Sequence, residues 1–431
     1  MTQIQKSITN FGELGLAPKL LSVLETNGFI HPTPIQQQAI PFALQGKDVV
    51  GIAQTGTGKT LAFGLPMIQI LSRNKGQGLV LVPTRELALQ VEETLQKVGR
   101  SIGLQTVVLI GGAPMYAQTR ALRNSPHIII ATPGRLMDHM EQKTVNLQNV
   151  KIVVLDEADR MYDIGFAPQV KQILRAVPSD RQSMLFSATM PTAIASIATH
   201  SMKNPVRVEV APVGTTAKLI DQAIYMVGKE LRLQLLDFLL EKEPGTVLVF
   251  SRTKHGAKKI ASAIRNMNHT AMEIHSDRSL AQRRAALSGF KSGAHRVLVA
   301  TDIAARGIDV TGISLVINFD LPNNSEDYVH RIGRTGRAGA SGRAVSFASP
   351  DERGVLRDIE RLIKKPLPIL ALPVLPPKRP QSNSAHTMNH EPRVHSHANH
   401  SRPRWGNNQR GGGNGQRTNK FSNPRHARGR Y

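Results

Sequence analysis

The chain of 431 residues reads as an α/β protein: two successive parallel-sheet units followed by a basic tail. Three observations predict this. Short apolar runs alternate with amphipathic segments through residues 1–209 and again through 223–365, which is the pattern of buried strands joined by helices packed on both faces of a sheet. A glycine-rich loop follows the first apolar run, and adjacent carboxylates close a later one. Past Leu370 the apolar residues give way to Pro, then to His, Asn, Arg and Gly.

In the first unit, strands are predicted at Val49–Ala53, Leu79–Val82, Thr106–Ile110, Ile128–Ala131, Ile152–Leu155 and Met184–Phe186. Between them, the segment Glu86–Val98 places Leu87, Val91, Leu95 and Val98 on one helical face. The pattern breaks over 210–222, around Ala-Pro-Val-Gly-Thr-Thr, and this stretch is expected to be a linker. The second unit repeats the alternation, with strands expected at Val247–Ser251, Ala271–Ile274, Val297–Ala300, Val316–Phe319 and Ala344–Phe347. It has no phosphate loop of its own, so a site completed across a cleft between the units is expected.

The loop Gln54-Thr55-Gly56-Thr57-Gly58-Lys59-Thr60 has the chemistry of a phosphate cradle. Glycines let successive N–H groups turn inward, and the following helix adds its positive end. Lys59 is placed to reach the β- and γ-phosphates, and the Thr60 hydroxyl to hold Mg²⁺. Ala53 stands where the general pattern has glycine. The run Val153-Val154-Leu155-Asp156-Glu157-Ala158-Asp159 delivers a strand-end carboxylate towards a metal ion and a second towards a water. Cradle and acidic run, in that order, describe a nucleoside triphosphatase using Mg²⁺.

Composition bounds the rest. No cysteine is present, which excludes disulfides and thiolate metal sites. Met1–Asn10 lacks a signal-like apolar core and no run approaches a membrane span, so an intracellular, cytoplasmic protein without membrane contact is expected. Net charge is +24. Residues 366–431 carry eleven Lys or Arg against the single acid Glu391, leaving +14 on the rest. Such a balance points to a polyanionic partner, and nucleic acid is expected. The tail 366–431 is read as Pro-rich and then disordered from 380 onwards, with Trp405, Phe421 and Tyr431 among arginines as stacking residues for single-stranded bases.

About a dozen motifs over residues 10–365 follow one family's order. The chain resembles the DEAD-box ATP-dependent RNA helicases of superfamily 2, named for the string found here at Asp156–Asp159, and its basic Gly/Arg-rich tail resembles the bacterial type. The resemblance implies two tandem RecA-like domains and RNA-stimulated ATP hydrolysis. It implies local unwinding of short RNA duplexes, or remodelling of RNA–protein complexes, by a protein with no sequence preference. Gly28-Phe29-Ile30-His31-Pro32-Thr33-Pro34-Ile35-Gln36 matches the adenine-recognition motif, with Gln36 reading the adenine edge and Phe11 stacking on the base. Glu157 is implied as general base and Asp156 as the Mg²⁺ ligand. Ser187-Ala188-Thr189 matches the coupling motif that bonds back to Asp159. His330-Arg331-Ile332-Gly333-Arg334-Thr335-Gly336-Arg337 implies Arg334 and Arg337 as arginine fingers, with His330 linking them to the acidic site. Asp309 is implied at the nucleotide ribose.

RNA contacts are implied at Pro83, Thr84, Arg85, Gly111, Gly112, Thr132 and Arg135 in the first unit, and at Arg252, Thr301 and Asp302 in the second. Two positions depart from the family pattern. Tyr162 replaces an aliphatic residue, and Arg278 places a charge in His275-Ser276-Asp277-Arg278-Ser279. A non-unwinding RNA clamp or annealing chaperone, and a DNA translocase, are the alternative functions. Analogy places the chain near bacterial helicases of ribosome assembly, RNA decay and cold adaptation, with a monomer expected.

Overall fold

The computed structural model of the chain describes residues 10–54, 56–210, 220–305, 310, 312–336 and 342–377. The first lobe holds β1 (Val49–Ile52), β2 (Gln77–Leu81), β3 (Thr106–Leu109), β4 (Ile128–Ala131), β5 (Val150–Leu155), β6 (Gln182–Ser187) and β7 (Val206–Glu209). The second holds β8 (Ile220–Met226), β9 (Val247–Phe250), β10 (Ala271–Ile274), β11 (Val297–Ala300), β12 (Leu315–Asn318), β13 (Gly342–Ala348) and β14 (Ile369–Leu370).

The sheet orders are β3-β4-β2-β5-β6-β1-β7 and β10-β11-β9-β12-β13-β8-β14, with every pairing parallel. Counted from its own first strand, each lobe has the same order, so the two lobes are one fold used twice. Both sheets are sandwiched by helices, the RecA-like arrangement.

Side-chain alternation divides each sheet's core in two. Val49, Val80, Ile130, Val154 and Phe186 pack on one face of the first sheet, while Val50, Leu79, Ile129, Val153 and Leu185 pack on the other. A strand buried on both faces must be apolar throughout, which is why β4, β9 and β11 read as continuous apolar runs. The helix Arg85–Gly99 buries the predicted stripe of Leu87, Val91, Leu95 and Val98.

The boundaries differ from expectation at two places. Just past β7, Val210 still donates to the Ile52 carbonyl (2.9 Å), and β8 begins at Ile220, so sheet hydrogen bonding enters the expected linker from both sides; 211–219 lie outside the described residues. The tail expected from 366 starts inside the second lobe. There β14 pairs with β8, and Gln234 Nε2 donates to the Pro376 carbonyl (2.8 Å). Residues 378–431, including Trp405, Phe421 and Tyr431, lie outside the described residues.

Candidate active site

The glycine-rich loop leaves the carboxyl end of β1, where ligands of parallel sheets sit. Gly56 and Gly58 have φ of 82° and 88°, and a Cβ on Gly58 would lie 2.4 Å from Gln36 Nε2. Glycine at 58 is therefore required twice, by backbone hand and by the neighbouring amide. Gln36 is buried, with Oε1 accepting from the Thr33 N–H (2.9 Å) and Nε2 donating to the Gly58 carbonyl (2.9 Å). The Thr57 hydroxyl donates to the Gln54 carbonyl (2.7 Å), and Lys59 Nζ donates to the Ala53 carbonyl (3.0 Å). Thr60 is half-buried in the first helical turn. Thr55 lies outside the described residues. Ala53 donates to the Ser187 carbonyl (2.9 Å) and has no positive φ, so this position does not need glycine.

Phe11 is packed in the first-lobe core with only 4% of its surface open. That is too little for the base-stacking face expected of it, and its ring serves the core here.

The strand β5 delivers Asp156 and Glu157, both buried. Glu157 adopts φ 52°, ψ 51°, a left-handed conformation that costs a non-glycine residue about 1–3 kcal/mol. Its N–H is held by Asp156 Oδ1 (3.0 Å) and its carboxylate by Arg160 Nη1 (2.8 Å). Burial pushes the Asp156 carboxyl up to about 6, against the pull of Lys59, with Glu157 and Asp159 adding like charge. A buried oxygen donor held this way, with the nearest ammonium already bonded to a carbonyl, fits a divalent cation.

Asp159 gathers the coupling segment. Its Oδ2 accepts from the N–H groups of Ala188 (3.0 Å) and Thr189 (2.8 Å) and from the Thr189 hydroxyl (3.0 Å), while its own N–H donates to Ser187 Oγ (3.1 Å). Burial raises its carboxyl, but Lys59, His330, Arg160 and the Thr189 N–H outweigh burial and hold it below the usual range. His330 of the second lobe lines the same junction as Ala188 and Thr189 of the first. A cavity of about 320 Å³ lies at this junction, lined by Gln54 and Ala188–Pro191 from one lobe and Glu326, Val329, His330, Gly333 and Leu362 from the other.

Arg334 is buried, and its Nε donates to the His330 carbonyl (3.2 Å). It shares a narrow recess with Arg160, Asp302, Asp327, His330 and Arg331. Arg337 and Asp309 lie outside the described residues.

The expected RNA contacts divide. The Arg85 guanidinium lies against Gly111 and Gly112, where a Cβ would come within 3.0 and 2.7 Å of it. Arg135 Nη1 donates to the Ala113 carbonyl (3.0 Å), so these residues form one surface. Pro83 is buried, Thr84 caps the helix Arg85–Gly99 by accepting from the Leu87 N–H (3.2 Å), and the buried Thr132 donates its N–H to the Leu109 carbonyl (3.0 Å). In the second lobe Thr301 is half-buried, its N–H donated to the Ile274 carbonyl (3.3 Å). Asp302 departs from expectation, since both its carboxylate oxygens accept from Arg331 (2.6 and 2.7 Å), a fork that occupies it inside the lobe. Arg252 Nη2 is likewise engaged by Glu352 (2.8 Å) and the Leu321 carbonyl (3.1 Å).

Several contributors escape sequence reading. Arg160 and Arg331 are almost fully buried, and Arg283 of the second lobe meets Glu86 of the first at 2.8 Å. Nothing in an arginine's neighbours along the chain separates these from surface charge. Of the two family departures, Tyr162 is exposed and Arg278 pairs with the buried Glu273.

A phosphate loop and acidic pair on one RecA-like lobe, faced by arginines of a second, define a tandem-lobe nucleoside triphosphatase. Residues 33–197 match the DEAD/DEAH box helicase family and residues 230–339 the helicase conserved C-terminal domain. The chain is 46% identical to the DEAD-box ATP-dependent RNA helicase CshA of Bacillus cereus, over 85% of this chain and 71% of that one. It is 45% identical to the CshA of Geobacillus kaustophilus, over 85% and 79%. Among solved structures it is similar to S. cerevisiae Dbp5 bound to RNA and ADP BeF3 (TM-score 0.75, 31% identity, 84% of this chain and 96% of that one). It is also similar to Mss116p bound to ssRNA and AMP-PNP (TM-score 0.79, 27% identity, 86% and 80%). The chain belongs to the DEAD-box ATP-dependent RNA helicases, enzymes that couple ATP hydrolysis to RNA remodelling.

Proposed function

We propose that ATP and RNA draw the two lobes together, that closure completes the hydrolytic site, and that the bound strand is bent out of a duplex in the process. The observation that carries this reading is the Asp159 carboxylate. It bonds the Ser187–Thr189 segment, whose Ala188 and Thr189 line the lobe junction together with His330. A change at the phosphates is thereby passed to the lobe junction in one step.

Within the site, the loop N–H groups and Lys59 bind the phosphates and Gln36 reads the adenine edge with its remaining N–H and lone pair. Asp156 and Thr60 would hold Mg²⁺, which supplies charge neutralisation on the phosphoryl oxygens. Glu157 accepts a proton from water as the water oxygen bonds to the γ-phosphorus. The bond to the β–γ bridging oxygen breaks, and ADP leaves carrying the electron pair. Arg334 and Arg337 meet the charge that develops on the transferred group. Arg85, Gly111, Gly112 and Arg135 grip the sugar–phosphate backbone without reading bases. Hydrolysis then reopens the lobes and releases the strand.

The tail adds sequence-independent affinity, and the substrates are short RNA duplexes or RNA–protein assemblies of the bacterial cytoplasm, including ribosomal or RNA-decay complexes, acted on by a monomer. Among the described residues no helix is long and apolar enough to cross a membrane.

Displacement of a labelled strand from a short RNA duplex tests the reading. ATP should support repeated turnover, a non-hydrolysable analogue at most one round, and a DNA duplex should remain paired. Displacement or annealing that ignores the nucleotide would favour a passive chaperone instead.

A further inference from the structure

The helix Met115–Leu122 leaves the Gly111–Gly112 turn carrying a surface that no role above uses. Tyr116 is 77% exposed, an unusual position for a large aromatic side chain. Arg120 and Arg123, four and seven residues on, are exposed as well. At 3.6 residues per turn these three share one face of the helix and its C-cap, and Arg123 keeps right-handed helical geometry, so the stripe is continuous.

The opposite side is anchored. Gln118 is buried, its Oε1 accepting from the Ile110 N–H (3.0 Å) and its Nε2 donating to the Ile110 (3.1 Å) and Ala113 (3.2 Å) carbonyls. Arg135 holds the same Ala113 carbonyl from the neighbouring segment (3.0 Å). The stripe is therefore rigidly continuous with the Arg85–Gly111–Gly112–Arg135 surface. Arg120, Arg123 and Arg135 make this surface predominantly basic; the nearest carboxylate along the chain, Asp138, pairs with Arg135 (3.2 Å) and leaves Arg120 and Arg123 as its excess charge.

We propose that Tyr116, Arg120 and Arg123 form an additional single-stranded RNA subsite. In it the Tyr116 ring stacks on a base just beyond the core grip, and the two arginines meet the next phosphates. An aromatic face accepts any base, and paired arginines suit successive phosphates, so the subsite lengthens the footprint without adding sequence preference. The occupant is the continuation of the strand held by Arg85 and Gly111–Gly112, and the subsite rests on that reading of the grip.

The test uses the full-length protein with single-stranded RNAs of increasing length and a non-hydrolysable ATP analogue, measuring affinity by fluorescence anisotropy. Tyr116→Ala and Tyr116→Phe are compared with an Arg120→Gln/Arg123→Gln variant. The wild type should gain affinity when the oligonucleotide is extended past the core footprint at one end. Tyr116→Ala should lose about five- to tenfold or more of that gain, while Tyr116→Phe keeps it. The double arginine variant should flatten the slope of log affinity against log salt by about 1.4 on the longer RNA. Binding of the shortest RNA and ATP turnover at saturating RNA should be unchanged in all three. If the shortest RNA does not bind or does not stimulate ATPase in the wild type, the grip itself has been misassigned. If it does, and Tyr116→Ala matches the wild type at every length, the subsite is wrong and the exposed face serves another partner.

Discussion

Arg283 of the second lobe donates to Glu86 of the first at 2.8 Å, and both side chains are more than nine-tenths buried. Burial pushes the Glu86 carboxyl up, opposed chiefly by Arg283. An ion pair withdrawn from water this way strengthens an arrangement only while both partners are present. Because Glu86 follows Arg85, the pair joins lobe closure to the RNA grip.

Replacing Arg283 by Ala or Glu86 by Gln should therefore weaken the RNA- and ATP-dependent closed complex by about 2–5 kcal/mol, the cost of orphaning one buried partner. A double-mutant cycle on RNA affinity measures this. Strong non-additivity is expected, and additive losses would place the two residues in separate roles.

Glu157→Gln should abolish hydrolysis while ATP and RNA still bind. The amide preserves shape and can still accept the Arg160 hydrogen bond, now 2.8 Å long, but it cannot take the water's proton. RNA-stimulated ATPase together with equilibrium binding decides it. Near-normal turnover in this variant would remove Glu157 as the base.

Gln36→Ala should relax nucleotide choice. The variant loses the adenine contacts, about 1–3 kcal/mol for each buried group left unpaired. It also loses the bond to the Gly58 carbonyl, so some loop order should go with it. Competition between ATP and GTP should show ATP falling towards GTP. An unchanged preference would confine Gln36 to capping its helix and bracing the loop.

Arg334→Lys should depress turnover by about 10³-fold or more at unchanged formal charge, since an ammonium cannot reproduce the guanidinium fork. ATP affinity of the open form should change far less, because the cradle lies on the other lobe. A parallel loss of affinity and rate would contradict a transition-state role.

Removing residues 380–431 should leave basal ATPase intact and weaken RNA binding. If four or five tail charges engage at once, the salt slope should flatten by roughly 3. Identical affinity and slope in the truncated protein would make the tail a solubiliser.

Much of this architecture is legible in the sequence, and the omissions have physical causes. Strands buried on both faces announce themselves as aliphatic runs, as Ile128–Ala131 and Val297–Ala300 do. The strands Val206–Glu209, Ile220–Met226 and Ile369–Leu370 carry polar residues or lie at the sheet edge, and composition places the last among linker and tail. The phosphate loop and acidic run are visible because their chemistry needs contiguous residues. The buried arginines are not. Arg232 reaches Asp320 and Glu352 across 88 and 120 residues, a pairing that only the fold creates. Asp302 shows the converse, since a motif position does not reveal that Arg331 already occupies its carboxylate.

Lobe closure is the claim on which the account turns, and it can be watched directly. The chain has no cysteine, so single cysteines at the exposed Glu141 and Ser292, one on each lobe, allow specific donor and acceptor labelling. Single-molecule energy transfer on the Glu157→Gln background should show a long-lived high-transfer state only when ATP and RNA are both present, and a low-transfer state with either alone. Transfer that responds to ATP without RNA, or that never changes, would contradict a hydrolytic site completed by RNA-coupled closure.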